Sequence, residues 1–290
     1  MPELPEVETI VRQLKRAVVG LKIKDAWNDW PRQIRTHTLT GLKRQLKSRS
    51  VAGVRRRGKY ILLDLTGGKT LVIHQKISGH LLFGRWTKQK GSWIAQKGPL
   101  KDDPFNRHIR FIVEFTNGRM MGLSDVRRFG RIYLGDTARI ANFTDMARIG
   151  PEPLEIAKKR VKFHELFAGK KGKIKQVLMD PYFIAGIGNI YADEILWYAG
   201  INPLRRVETL SGKEVERIRK YVPAVLKKAI EEGGDSMSDY RNLFGEFGNY
   251  QTMHRAYRQT GKYCSKKDGG RIIRIKINAR SAHYCPVHQK

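Results

Sequence analysis

Cysteine is scarce in this sequence: among 290 residues only Cys264 and Cys285 carry a thiol, and both lie near the C-terminus. So few cysteines exclude the disulfide framework that stabilises small secreted domains. Long apolar runs are also missing, since no stretch approaches the roughly 18 residues that a membrane-spanning helix requires. Residues 1–6 include two glutamates and do not have the pattern of a secretory signal. In a cytosolic chain, a late cysteine pair more often marks a metal site.

Several motifs of common enzyme classes are absent too. The segment 67–70 is similar to the end of a phosphate-binding loop, but the glycine required six positions before Lys69 is replaced by Leu63. The segment 186–188 lacks the third glycine of a dinucleotide-binding fingerprint. Neither the Gly-x-Ser-x-Gly elbow of serine hydrolases nor the His-Glu-x-x-His zinc motif occurs. The sequence therefore predicts none of these chemistries.

Acidic residues are few relative to basic ones. The chain has 27 Asp and Glu against 57 Lys and Arg, which gives a net charge of +30 and a pI near 10.3. Its 40% hydrophobic and 29% charged residues are otherwise ordinary for a folded soluble chain. A positive excess of this size, rich in Arg, predicts a polyanionic partner such as nucleic acid or an anionic membrane surface. The alternative is an ordinary enzyme with a solvated lysine surface.

The order of secondary-structure patterns predicts an α+β chain with two domains. Residues 6–19 have apolar positions at helical spacing, and Gly20 ends the run. Short runs rich in β-branched residues follow, separated by turn signals. We expect strands at 60–65, 71–74, 110–115, 120–123 and 132–134. This pattern predicts an N-terminal β-sandwich with a flanking helix over residues 1–135, and a linker at 136–155.

Beyond the Gly-Pro-rich segment 150–153, the period of the apolar residues becomes helical. We expect helices at 173–179, 189–199 and 211–232, the last opened by a capping box at Ser211 and kinked at Pro223. Residues 235–262 are rich in glycine and aromatic residues, which predicts a mobile loop. The prediction for this half is a helical domain at 156–252 and a β-hairpin at 253–290, with a strand at 272–277.

The N-terminus offers an unusual nucleophile. Removal of Met1 would expose the secondary amine of Pro2, and an α-amine titrates near pH ~8, far below lysine. Such an amine can attack an electrophilic sugar carbon and form an iminium ion. Glu3 and Glu6 follow at the start of the helix, and either could act as general acid or base. Judged on these residues alone, a proline-rich helix start with charged capping is the favoured interpretation.

Six segments in order resemble bacterial formamidopyrimidine-DNA glycosylases, and together they cover nearly the whole chain. The segments are 1–9 (MPELPEVET), 57–60 (RGKY), 124–130 (SDVRRFG), 150–154 (GPEPL), 186–192 (GIGNIYA) and 278–286, with NARS at its start and YCP at its end. The resemblance implies a β-sandwich, a helix–two-turn–helix domain and a zinc-finger-like C-terminal hairpin. It also implies a bacterial cytoplasmic protein, associated with the nucleoid, which acts as a monomer on damaged double-stranded DNA and not on membranes.

The same resemblance implies the roles of individual residues. Pro2 would attack C1′ of the damaged nucleotide, Glu3 would move protons, and Lys59 would assist near the lesion. Backbone phosphates beside the lesion would be held by His74, Asn189 and Arg280, the last of which we group with the catalytic residues. Glu6 is placed with the DNA-binding residues. Without the resemblance, Lys59 would be a solvated edge lysine. Asn189 suits an anion site because it opens a helix after a Gly-rich turn, although a plain N-cap is the alternative.

Flipping a base out of the duplex leaves a hole that side chains must fill. By resemblance, Arg127 and Phe129 fill it. The family's third filler is usually a methionine in a His-x-Gly-Met-Ser-Gly pattern, whereas this chain has Ile77 there and Lys76 in place of the glycine. Without the resemblance, Phe129 and Ile77 could both be ordinary strand core.

The C-terminal segment departs from the family's pair of Cys-x-x-Cys motifs. Counting back from Cys285, Asp268 stands where the second ligand should, Cys264 precedes it with one extra residue, and His288 takes the fourth place. All four are accepted zinc ligands, so one structural Zn²⁺ is expected at Cys264, Asp268, Cys285 and His288, with no catalytic cofactor. The alternatives are a metal-free hairpin or a disulfide.

The sequence thus predicts a bifunctional DNA glycosylase and AP lyase of base excision repair. Its substrates would be oxidised purines, 8-oxoguanine and formamidopyrimidines, because the stretch 238–251 is similar to the purine-capping loop of this branch. The strand would be cut by β,δ-elimination through a Pro2 Schiff base. The alternatives are an endonuclease VIII-like enzyme for oxidised pyrimidines, a non-catalytic DNA-binding protein that would not need Pro2, Glu3 or Lys59, and an RNA- or ribosome-binding protein.

Overall fold

A computed structural model describes residues 1–156 and 162–290, which form two compact units. The first unit comprises residues 1–147 and 233–248, and the second comprises residues 148–232 and 249–290. In the described part of the chain, no helix is long and apolar enough to cross a membrane.

Helix α1 (Leu4–Val18) opens the first unit and packs one face into its core. Glu3 is its N-cap, and Pro5 lies in the first turn. A capping box between Glu3 and Glu6 supplies hydrogen-bond acceptors for free backbone N–H groups of that turn. The buried side of the helix carries Val7, Ile10, Val11, Leu14 and Val18, so the helical spacing in the sequence is confirmed. A second helix, α2 (Leu39–Leu46), was not evident in the sequence.

Two four-stranded antiparallel sheets form the body of the first unit. One has the strand order β1-β8-β9-β5 and the other β10-β4-β3-β2. Apolar side chains from both sheets and from α1 share one buried core, as expected for a β-sandwich. The strands are β1 (Ile23–Asn28), β2 (Val51–Arg57), β3 (Tyr60–Leu65), β4 (Lys69–His74), β5 (Gly79–Gly84), β8 (Ile109–Phe115), β9 (Met120–Asp125) and β10 (Arg131–Asp136); a small hairpin, β6 (Trp86–Gln89) and β7 (Ser92–Ala95), branches off after β5.

The second unit is helical. Its helices are α3 (Phe163–Leu166), α4 (Ile174–Met179), α5 (Asn189–Ala199) and α6 (Gly212–Glu231). Ser211 caps α6 in the predicted capping box with Glu214, and Gly200 ends α5 in the left-handed conformation. The unit closes with an antiparallel hairpin of β11 (Ile273–Ile277) and β12 (Arg280–Tyr284).

The segment that follows α6 packs with the first unit, although the sequence pattern predicted a helical domain over residues 156–252. Residues 233–248 hydrogen-bond to α1 and to β5, and they bury Tyr240 and Leu243 there. The reason is physical: these apolar side chains need a core to cover them, and the sandwich supplies it. We name residues 233–248 the return loop.

Candidate functional site

The N-terminal residues are enclosed rather than frayed. Pro2 is buried and Glu3 is only 3% exposed, whereas Met1 is 42% exposed. Glu3 sits at the N-cap of α1, where the helix dipole favours a carboxylate. The imino nitrogen of Pro2 and the carboxylate of Glu3 are thus carried by consecutive residues at one helix start.

Glu6 has a different place from Glu3. It is 2% exposed, and its two carboxylate oxygens accept backbone hydrogen bonds from Glu3 (2.7 Å) and from Asp235 of the return loop (2.8 Å). Gly234, with φ +90°, lets the loop backbone pass close to this carboxylate, because a side chain there would meet Glu6 and Tyr240. Glu6 therefore connects the return loop to the residue beside Pro2.

Lys59 directly precedes β3, and His74 is the last residue of the adjacent strand β4. Lys59 is half-buried in the turn between β2 and β3, and Tyr60 pairs with His74 in register. Burial, with the charges of Lys76 and Lys59, lowers the pKa of His74 to about 3, so its ring is neutral. Nδ1 of His74 accepts a hydrogen bond from the Lys76 amide (2.9 Å), which places the ring proton on Nε2. His74 is therefore a neutral N–H donor.

The loop at 126–129 is clamped at its base by Asp125. One oxygen of Asp125 accepts from the Ser78 hydroxyl and the other from the Gly130 amide, both at 2.6 Å. Ser78 also accepts from the Arg127 amide (3.1 Å), so both ends of the loop are fixed.

The side chains of this loop and of Ile77 point outward. Phe129 is 39% exposed and Ile77 is 44% exposed, which rules out the alternative that they are strand core. The guanidinium of Arg127 lies over the Phe129 ring, 4.9 Å from its centroid. A large apolar side chain fixed at the surface beside an arginine is suited to enter a base stack.

The second unit carries the other two predicted contacts. Asn189 is the first residue of α5, but the N-cap is Gly188, so the plain N-cap interpretation of Asn189 is wrong. Its side-chain Oδ1 is buried and has no hydrogen-bond partner among the described residues. Arg280 begins β12 and is exposed, and it lines a cavity of about 320 Å³ together with Lys175.

A buried ionic network, not predicted from the sequence, holds this hairpin to the helices. The ammonium of Lys175 on α4 contacts Asp193 on α5 (2.6 Å) and donates to the Ser281 carbonyl beside Arg280. The other oxygen of Asp193 accepts from the backbone amide of His283 and contacts its ring, each at 3.0 Å. Periodicity could not reveal this, because a lysine inside the apolar run of α4 looks like a solvated residue. Its partners come from distant segments.

Cys264, Asp268, Cys285 and His288 come together, as the spacing predicted. Their ligand atoms all lie within 4.8 Å of one another. Individual separations are 3.4 Å for Cys264 Sγ to His288 Nδ1, 3.4 Å for Cys285 Sγ to Asp268 Oδ2, and 2.9 Å for His288 Nδ1 to Asp268 Oδ2. The two thiols are free, so the disulfide alternative is not what the structure contains. The four residues could hold a metal ion.

Four further observations fit a metal at this cluster. His288 Nε2 lies 3.1 Å from the Trp197 carbonyl, an acceptor, so a neutral ring carries its proton there and turns a bare Nδ1 toward the other ligands. Gly270 leaves room for the cluster, because a Cβ at that position would overlap the Cys285 sulfur. Burial raises the pKa of the Cys264 thiol to about 11, so a cation would be needed to hold its thiolate. Burial alone would raise the pKa of Asp268, but hydrogen bonds from the Gly270 amide and from the cluster hold it below its usual value.

Comparisons with known proteins agree over the full chain. The Formamidopyrimidine-DNA glycosylase N-terminal domain matches residues 1–132, and the Formamidopyrimidine-DNA glycosylase H2TH domain matches residues 149–241. Formamidopyrimidine-DNA glycosylases of Pelotomaculum thermopropionicum (36% identity, 100% of this chain and 99% of the relative) and Roseiflexus sp. (38% identity, 100% of both) are similar in sequence.

Solved structures give the same result. The Lactococcus lactis Fpg in complex with DNA that contains an abasic site superimposes with a TM-score of 0.86 at 32% identity, over 99% of both chains. A variant of the same enzyme in complex with DNA containing Fapy-dG gives a TM-score of 0.86 at 32% identity, over 100% of both.

Proposed function

This chain belongs to the formamidopyrimidine-DNA glycosylase family, and from its site we propose that it excises a damaged purine from duplex DNA and then cuts the strand. The single observation that carries the proposal is the enclosed N-terminus, where Pro2 and the buried carboxylate of Glu3 are adjacent. A DNA-binding protein without catalysis has no need to bury a carboxylate beside its N-terminal amine.

The chemistry follows from these groups. Once Met1 has been removed, the lone pair of the Pro2 nitrogen attacks C1′ and the bond between C1′ and the base breaks. The departing base takes up one proton, and the attacking amine releases its N–H proton, so the step balances. Glu3 donates a proton to the ring oxygen O4′ as the sugar opens, which leaves an iminium ion between Pro2 and C1′. The iminium acidifies the protons at C2′. Loss of one breaks the 3′ C–O bond, and a second elimination breaks the 5′ bond.

We assign the phosphate contacts from the hydrogen-bond donors and positive charges that the site residues offer. In the first unit, the Nε2–H of His74 and the ammonium of Lys59 can hold phosphate oxygens beside the lesion. In the second unit, Asn189 stands in the first turn of α5, where backbone amides favour an anion, and Arg280 offers a planar guanidinium. The net charge of +30 agrees with a partner that is largely phosphate.

Oxidised purines are the proposed lesions. The support is the return loop and the segment after it, whose sequence is similar to the purine-capping loop of this branch. An endonuclease VIII-like preference for oxidised pyrimidines is the second candidate. We further propose that the protein acts as a monomer in the bacterial cytoplasm, at the nucleoid.

A single structural Zn²⁺ is proposed at Cys264, Asp268, Cys285 and His288. The support is the donor set and the separations among its atoms, which suit a tetrahedral ion. The ion would fix the end of the β11–β12 hairpin, which carries Arg280. It takes no part in the reaction at Pro2.

Borohydride trapping tests the proposal. Wild-type protein incubated with duplex DNA containing 8-oxoguanine opposite cytosine should become covalently linked to the DNA when borohydride reduces the iminium ion. Protein that retains Met1 is the matched control and should give no adduct. Undamaged duplex of the same sequence should give none either. Full adduct formation with Met1 still attached would show that Pro2 is not the nucleophile.

A further inference from the structure

Lys76 is a lysine in a backbone conformation that favours glycine. Its φ is +54°, in the left-handed region that a residue with a Cβ adopts only at a cost. It stands where the similar glycosylases usually have glycine, and the proposed mechanism gives its side chain no task. A lysine kept in a strained backbone position calls for a role of its ammonium group.

The backbone of Lys76 lies against a proposed phosphate contact. Its amide donates to Nδ1 of the His74 ring at 2.9 Å, and His74 is the last residue of β4. The Lys76 side chain is half-buried. This lysine therefore starts beside the ring whose Nε2–H is the proposed donor to the DNA backbone.

Arg131 reaches the same face of the sheet from the neighbouring strand. It begins β10 and lies directly opposite His74 in the β10–β4 register. Residues that are paired across two strands project their side chains to the same side. The next residue, Ile132, is fully buried in the core, so Arg131 projects to the outward side, where it is half-buried.

Arg35 extends this row by one more segment of chain. Ile34 forms a parallel bridge with Ile132, and the Arg35 amide donates to the Ile132 carbonyl at 2.8 Å. Ile34 is buried as Ile132 is, so alternation turns Arg35 outward beside β10, where it is exposed. Neighbouring strands lie about 4.8 Å apart, so the row from His74 through Arg131 to Arg35 is about 10 Å long.

This row of cations lacks an acidic counter-ion. Elsewhere in the first unit, Arg56 is paired with Glu8 and Arg110 with Asp29. Within the described ranges 1–156 and 162–290, no carboxylate lies at salt-bridge distance from the side chain of residue 35, 76 or 131. Like charges brought together without a counter-ion repel each other, so the arrangement favours an anion that binds among them.

Mutual repulsion is visible in the acid–base behaviour of the cluster. Burial lowers the pKa of Lys76, and the charges of Arg131 and Arg35 lower it further, while Asp145 offsets part of the effect. Burial, followed by the charge of Arg35, likewise lowers the pKa of Arg131. The three side chains therefore sense one another electrostatically, in agreement with their positions in the sheet.

We propose that Lys76, Arg131 and Arg35 form a second phosphate site, which binds the phosphodiester of the DNA strand next to the one that His74 holds. The proposal rests on the proposed function, since it takes the backbone beside the lesion as its ligand. A guanidinium can bond two phosphate oxygens at once, and an ammonium adds a point charge. The row is long enough for more than one phosphate, because a strand carries one about every 3.4 Å along the helix axis.

The test begins with a double variant that combines Lys76→Gly with Arg131→Ala. Glycine keeps the backbone amide that bonds to His74 and removes only the side chain. Binding of duplex DNA should weaken about tenfold near 50 mM salt, and the slope of log affinity against log salt should fall by about 0.9. Lesion-containing and undamaged duplexes should lose affinity alike, because a phosphate carries no base information. Fluorescence anisotropy measures both quantities.

The matched control removes two charges from another surface of the same unit. Lys15→Ala with Arg16→Ala changes two exposed residues in the last turn of α1 and should leave the slope as in wild type. Lys76→Gly alone should not lower the midpoint of urea denaturation, because glycine accepts a positive φ without strain. A loss of binding without a loss of stability separates the contact from a folding defect.

A phosphate scan identifies the ligand as DNA backbone. Duplexes are prepared in which one phosphate at a time, on either side of the lesion, is replaced by an uncharged methylphosphonate. At one position the replacement should weaken wild type and the α1 control about tenfold and leave the double variant unchanged. Arg35→Ala should lose its sensitivity at the same position.

Two results would overturn the proposal: a salt slope of the double variant equal to that of the α1 control, or a scan without such a position. Failure of the proposed function is distinguishable, because wild-type protein would then give no borohydride adduct, whereas these binding measurements need no catalysis.

Discussion

Asp235 donates its backbone N–H to the carboxylate of Glu6 at 2.8 Å, across 229 residues of sequence. The second oxygen of Glu6 is occupied by the amide of Glu3, the residue after Pro2. One buried carboxylate thus fixes both the N-terminus and the start of the return loop. A structural change in the loop can therefore act, through the Glu6 carboxylate, on the residue next to Pro2.

Replacing Glu6 by glutamine should disturb both attachments. The amide nitrogen of glutamine would face a backbone N–H where the carboxylate had an acceptor, so one buried donor loses its partner. We expect the free energy of unfolding to fall by about 1–3 kcal/mol, measured by urea denaturation. Excision of 8-oxoguanine should slow more than abasic-site cleavage. Glu231→Gln, an exposed change on α6, is the control and should alter stability by less than about 0.5 kcal/mol. Equal stability of the two variants would contradict this reasoning.

Phe129→Ala should separate base extrusion from strand cutting. Filling the hole in the stack offsets the few kcal/mol that unstacking costs, so excision from an intact duplex should fall by about tenfold or more. Cleavage at a site whose base is already gone should fall much less. Phe143→Ala removes a phenylalanine of the first unit that is also exposed, and serves as the control. If Phe129→Ala slows both reactions equally, its effect is on folding and not on the void.

Acid should destabilise the first unit through its two buried neutral histidines. Burial lowers the folded-state pKa of His74 to about 3 and of His80 to about 4, against 6.5 for the unfolded chain. Below pH 6.5 the unfolded state therefore binds more protons, and stability falls as the pH drops toward 4. Each histidine contributes at most about 1.4 kcal/mol per pH unit in that window. Unfolding followed from pH 7 to pH 4.5 should show a shallower slope for His80→Leu than for wild type. An identical slope would mean that His80 is not buried neutral.

The fold could be predicted from the sequence where the residues of a single helix or hairpin are enough to identify it. Helix α1 and the α6 capping box were predicted because spacing and caps are local, and β3, β4, β8 and β9 because tight turns separate them. Strand β5 and helix α2 were missed, because β5 is short, begins and ends with glycine and lacks an alternating pattern, and α2 is short and contains two basic residues.

The site residues divide in the same way. Pro2, Lys59 and Phe129 stand in motifs that a resemblance can transfer. His80 and Lys175 stand in no such motif. Each contacts partners 18 or more positions away in the sequence, Phe105 for His80 and both Asp193 and Ser281 for Lys175. A single sequence does not show which distant residue will meet a buried polar group. The metal cluster is the exception, because cysteine and histidine spacing is itself the signal.

Arg280 should act as a phosphate contact. If it neutralises one phosphate, Arg280→Ala should reduce the slope of log affinity against log salt by about 0.9 and should weaken lesion-containing and undamaged duplexes alike. Arg280→Lys keeps the charge, so its slope should match wild type even if its affinity is lower. Fluorescence anisotropy over a salt series measures both quantities. A slope that is unchanged in Arg280→Ala would show that this side chain does not touch the backbone.

The metal cluster gives the sharpest test of the C-terminal hairpin, because one of its ligands is a carboxylate. Metal analysis of purified protein should find about one zinc per chain. Asp268→Asn removes the charge and should lower zinc affinity. Asp268→Cys supplies a softer ligand at the same position and should raise it. A competition assay with a chromophoric chelator ranks the three proteins.

Chelation should then weaken DNA binding through the hairpin while the Pro2 chemistry remains. The network of Lys175, Asp193 and His283 still fixes part of β12 without metal, so the loss should be partial. At saturating enzyme, abasic-site cleavage should be nearly unchanged by chelator, because Pro2 belongs to the other unit. The opposite result is equally clear. A zinc content well under one per chain, together with full DNA binding, would mean that the hairpin is stable without metal. Asp268 and His288 would then form an ion pair, in which the imidazolium donates to the carboxylate and to the Trp197 carbonyl.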